Sequence, residues 1–158
     1  MYRTVNHENI GAMKRRGRAL WDSLYAPFEN KLYNKLSQSH PDLPVHILNS
    51  HYAQLLADFP DQMSSPTRVG RVLTSMVAVA CLRAQTGVGP QVISHIFGLR
   101  KAYEDGTYKA GGEKVFEGGK WLASDTGNLW ILKCVDSIVE AVGEGMGTTF
   151  APGIKAKL

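Results

Sequence analysis

The chain has 158 residues, 44% of them hydrophobic and 20% charged, which suffices for one well-buried core and is short for two full-sized domains. The formal charge of +4 is modest, and the basic quartet Lys14, Arg15, Arg16 and Arg18 has no aromatic residues between its charges. That pattern suits a solvated helix face and argues against a nucleic-acid or membrane-surface partner. Polar residues interrupt every hydrophobic run, so neither a secretory leader nor a membrane span is expected. The expectation is a soluble protein with a single helical domain over 1–142 and a Gly-rich tail over 143–158.

In chain order, Asn6 is placed to cap a first helix reaching about Tyr25, with Ile10, Met13, Leu20, Trp21 and Leu24 as its apolar stripe and two glycines weakening it. Pro27 suits a first helical turn, and Phe28, Leu32, Tyr33 and Leu36 carry a second helix until Ser39-His40-Pro41 stops it. After the proline turn over His40–Pro44, Val45 to Phe59 reads as a third helix ending at Pro60. Ser65 and Pro66 then form an N-cap and first-position proline for a long helix to about Gln85.

Leu73 to Leu82 is apolar on nearly every side, which predicts a place at the centre of a bundle. Thr86-Gly-Val-Gly-Pro90 turns the chain into a further helix with Val92, Ile93, Ile96, Phe97 and Leu99 on a broad apolar face, so the two helices should form an antiparallel hairpin. Asp105 to Leu122 contains five glycines and little periodicity, and reads as a loop. Ser124 or Asp125 caps a last helix to Val142, whose Leu129, Ile131, Leu132, Val135, Ile138 and Val139 are apolar. No strand-period alternation competes anywhere, and the fold class is all-α.

Few residues carry a chemical signal. His95 shares a helical face with Val92, Gly98 and Leu99, where an imidazole is either a hydrogen-bonded core residue or a general acid/base. Arg83, Gln85 and Arg100 flank the same hairpin, and arginine suits both a carboxylate clamp and the capping of helix carbonyls. Cys81 and Cys134 fall inside apolar helical runs, where free cysteine packs as a small hydrophobe, in keeping with a reducing compartment. His40, Asp42, His46 and His51 are near one another in sequence, but a proline turn and a five-residue spacing argue against a shared metal. Neither a metal nor a cofactor is expected. Ala156-Lys157-Leu158 is a conservative variant of the Ser-Lys-Leu peroxisomal address, which would make a peroxisomal import receptor a partner and the peroxisome the location, with the cytoplasm as the alternative.

The run from Ala78 to Ala102, through Gln85-Thr-Gly-Val-Gly-Pro90 and His95, resembles the core helical hairpin of the carboxymuconolactone decarboxylase and alkylhydroperoxidase (AhpD)-like superfamily. Arg18-Ala-Leu-Trp-Asp-Ser-Leu-Tyr25, His40-Pro-Asp-Leu43 and Trp121-Leu-Ala-Ser-Asp125 are similar to signatures of a small fungal branch of it. The resemblance spans about residues 10 to 142 and implies an AhpD-like bundle that assembles as homo-trimers or hexamers. Peroxidase members carry a Cys-x-x-Cys pair ending four residues before the helix histidine, and an upstream glutamate. Val88 and Gln91 stand at those two positions here and Met76 near the third, so only His95 is carried over.

Three functions follow as expectations. The first is a cofactor-free lyase of the decarboxylase type, acting on a small molecule with His95 as proton donor or acceptor and Arg83 or Arg100 holding an anionic group. The second is a non-catalytic oligomeric binding or scaffold protein. The third is a thiol hydroperoxidase using Cys81 alone.

Overall fold

The structure, a computed structural model, describes residues 4–57, 69–112, 115 and 117–144. It is all-α, with no strand among the described residues. The chain divides into two compact units, Met1–Pro66 and Thr67–Leu158. The reason is local: the first helix buries its stripe against a helix that follows within the same unit.

In the first unit, α1 spans Ile10–Tyr25 and buries Met13, Gly17, Leu20, Trp21 and Leu24. Asn6 does serve as a cap, its Oδ1 accepting from the backbone N–H of Glu8 and Asn9, but this closes a turn over 7–9 before the helix proper begins. Helix α2, Glu29–Ser39, buries no residue fully; Leu32 and Leu36 lean on the aromatic cluster of Trp21 and Tyr52. The third helix starts at Asp42, earlier than the proline turn suggested, because Pro44 falls in its first turn, where a backbone N–H has no intrahelical partner to lose. This α3, Asp42–His46, widens into a π-helix over Ile47–Leu56, whose hydrogen bonds run from each residue to the fifth one along. No periodicity rule for a regular helix foresees that change.

In the second unit, α4 (Arg71–Gln85) and α5 (Gly89–Glu104) pack side by side, and a bond from Arg71 to the carbonyl of Gly98 fixes them as antiparallel. The expected opening at Ser65-Pro66 lies outside the described residues; α4 itself begins at Arg71, after extended Gly70. The span expected as a loop contains a 3₁₀-helix, Thr107–Gly112, and a one-turn α6, Gly119–Leu122. Both are too short to show a sequence period. Asp105 starts the first by accepting from the N–H and hydroxyl of Thr107, and Tyr108 stacks on Tyr103 at 4.6 Å. Ser124 caps α7, Asp125–Val142, by accepting from the Gly127 N–H, and α7 packs on α4. Val72, Val79, Val92, Leu99, Ala123 and Ile131 form the core of this unit.

Candidate functional site

His95 is 4% exposed, on the α5 face that also buries Val92, Gly98 and Leu99. The charged α4 residue whose field reaches it is Arg71, itself 3% exposed. Its Nη1 donates to Ser75 Oγ at 2.6 Å, one turn along the same helix, and its Nη2 donates to the carbonyl of Gly98 at 3.1 Å. One guanidinium therefore pins the two hairpin helices together through neutral oxygens. Burial, and then the positive charge of Arg71, push the His95 imidazole down to about 4. At neutral pH it is an uncharged imidazole, and protonating it would place a second cation beside a buried first one.

Arg83 and Arg100 are each engaged by a carboxylate of α7. Arg83, close to the C-terminal end of α4, makes a two-pronged bond to Asp136 of α7, with both N···O distances 2.7 Å and both side chains about half exposed. The same bond holds the Asp136 carboxyl below the usual carboxylate range. Arg100 pairs with Asp125 at 2.6 Å, in the first turn of α7. Gln85 is the exposed last residue of α4. Arg83 and Arg100 thus tie the hairpin to α7, and the charge felt by His95 is that of Arg71. The sequence held a signal for it: between Arg68 and Arg83, Arg71 is the one charge, and it stands four residues before a serine in an otherwise apolar helix.

The thiols also depart from expectation. Cys81 is exposed on α4 and Cys134 half-buried on α7, and both are free. An α4 apolar on nearly all sides cannot bury them all in one small unit, and Cys81 shares the outward face with Val77 one turn before it. At the positions where the peroxidases carry cysteines, Val88 is half-buried and Gln91 exposed, both at the start of α5.

His46 and His51 come together after all, their rings 5.3 Å apart and edge to face, with Ser50 Oγ 3.2 Å from His51 Nδ1. A five-residue spacing that an α-helix would splay is brought onto one face by the π-helix. His40 is engaged separately, its Nδ1 accepting from the Asp42 N–H. Among the described residues no three His, Cys, Asp or Glu side chains gather as metal ligands, and no helix is long and apolar enough to cross a membrane. Comparison with protein-family models, curated proteins and solved structures finds no match for the chain.

Proposed function

We propose that this chain is a self-associating binding or scaffold protein with an AhpD-like bundle, which keeps the helix histidine of the carboxymuconolactone decarboxylase-like superfamily as a structural group. The observation that carries this is the enclosure of His95 together with the outward exposure of Val77, Ile93 and Phe97 on the same hairpin, each about half exposed. Large apolar side chains left open on the central helices need a covering surface, and copies of the chain, arranged as a trimer or hexamer, supply it. Multi-angle light scattering on the eluting protein tests it. A mass several times that of the chain, collapsing to one chain in Phe97→Glu, is expected; a monomer at micromolar concentration overturns the reading.

No thiol peroxidase activity is expected, because disulfide exchange needs a paired thiol and the pair's positions hold Val88 and Gln91. Turnover of an organic hydroperoxide with a dithiol, lost in Cys81→Ser, would overturn this. The exposed Cys81 makes that control worth running.

One observation favours a second reading, the cofactor-free lyase: a buried guanidinium beside an imidazole of strongly lowered basicity is an arrangement also found where a small anion is held. In that reading Arg71, in place of Arg83 or Arg100, holds the carboxylate, and His95 moves the proton. Carbon dioxide release from a carboxylated lactone, abolished in His95→Gln with the fold intact, would establish it. Ala156-Lys157-Leu158 lies outside the described residues. Read as a C-terminal address it supports delivery to peroxisomes, which a fluorescent fusion at the N-terminus tests against a Leu158 deletion.

A further inference from the structure

The helices of the N-terminal unit touch backbone to backbone at one point. A Cβ on Gly17 would lie 2.6 Å from Ala53 Cα, closer than real atoms come, so glycine alone permits this approach. Toward the N-terminal end of α1 the side chains return, and the space between the two helices is left unfilled as a cleft of about 250 Å³. Ile10, Met13 and Lys14 line it from α1; Asn49, Ala53 and Gln54 line it from the π-helix. Residues four and five apart share a face in a helix bonded five residues along, which is how the π-helix turns two carboxamides and a small residue toward one opening.

The lining divides by chemistry. Ile10, Met13 and Ala53 make an apolar floor, while Lys14, Asn49 and Gln54 supply an ammonium and two carboxamides. No side-chain hydrogen bond joins Lys14 or Asn49 to another described residue, and no acidic side chain is among the described residues that line the cleft. Arg15, next in sequence, adds to the positive field. An apolar body with one anionic head fits this lining. At about 250 Å³ the cleft is smaller than the usual site for a drug-sized ligand, which limits the body to a short chain or a single ring. One ammonium with amide donors matches a carboxylate, whereas a phosphate is usually met by several charges or a row of backbone N–H groups.

We propose that the cleft between α1 and the π-helix binds a small amphipathic carboxylate, its head on Lys14 and Asn49 and its apolar body against Ile10, Met13 and Ala53. The site lies wholly within the N-terminal unit and is independent of the assembly reading. Amide chemical-shift titration of the full ¹⁵N-labelled chain tests it, with hexanoate, 1-hexanol and inorganic phosphate as probes. Hexanoate should shift the amides around residues 10–14 and 49–54, and bind about tenfold or more tightly than either other probe, the factor expected for one charge-assisted hydrogen bond. Lys14→Met, which keeps the stem of an exposed side chain and so leaves the fold intact, should lower hexanoate affinity to that of hexanol. Lys35→Met on α2 should not change it. Equal binding of hexanol, equal binding of phosphate, an unaffected Lys14→Met, a matching loss in Lys35→Met, or shifts confined to other residues would each overturn the proposal.

Discussion

The two units solve the same problem, how to bury a helix pair in few residues, by opposite means. In the N-terminal unit aromatic rings do the filling: Trp21 sits 4.4 Å from Tyr25 and 5.1 Å edge-on from Tyr52, and the two tyrosine hydroxyls meet at 3.1 Å. Such rings bury much area per residue, provided the backbones come close enough for them to reach across, which Gly17 allows. In the C-terminal unit small aliphatic residues fill the hairpin, and a buried polar group, Arg71, locks its register by bonding to both helices. Aromatic packing fails when the contact point is overfilled. A polar lock fails when a partner is removed or a proton is added.

That contrast is open to direct attack, and the largest effect is expected at the point of closest approach. Gly17→Val should destabilise the N-terminal unit by about 3 kcal/mol or more, because the new side chain meets backbone that cannot move aside. Urea unfolding followed by Trp21 fluorescence, with Trp121 and Trp130 replaced by phenylalanine, reads that unit alone; a loss below about 1 kcal/mol would mean that the helices separate freely there.

Next, His95→Ala should cost about 3 kcal/mol in the C-terminal unit, since it leaves a void and removes a polar group from an enclosed cluster. A change in denaturant midpoint worth 1 kcal/mol or less, at unchanged slope, would mean that water refills the site, and would move the balance toward the lyase reading.

The same residue makes a smaller, pH-dependent contribution. Folded His95 titrates at about 4 and the unfolded residue near 6.5, so above pH 6.5 both states are neutral and the enclosed imidazole incurs no protonation penalty. Between pH 6.5 and 4 the unfolded chain binds a proton that the folded one refuses, and stability falls as pH falls, by about 3 kcal/mol before levelling off. Comparing wild type with His95→Gln across that window isolates the effect. Parallel pH profiles would show that His95 stays solvated.

The smallest effect belongs to the exposed Arg83–Asp136 pair. Asp136→Asn should cost about 0.5 kcal/mol, less in high salt, because solvent screens a pair half open to water. A loss of 2 kcal/mol or more would mark it as part of an enclosed network.

Several helix positions in this chain were legible from local signals. The Ser124 cap, the glycine turn at 86–89 and the apolar stripe of α1 follow from the conformational limits of single residues and from a period of 3.6, and the all-α class follows with them. The helix face that His95 shares with Val92 and Leu99 was readable on the same ground, whereas the sequence left open whether the imidazole is a core residue or a general acid/base. Tertiary packing decided the rest. Gly17 looked like a weak point in a helix and is the contact that lets α1 and the π-helix meet; only the presence of Ala53 opposite makes a missing side chain an asset. His46 and His51 share a face because of a π-helix that no helical period announces. Arg71 is the charge felt by His95 because, in an antiparallel hairpin, the start of α4 lies beside the later turns of α5, while Arg83 and Arg100 find carboxylates on α7. Sequence spacing sets which residues share a helix face, but which faces meet depends on how helices far apart in the chain pack, and that choice is made by the whole core at once.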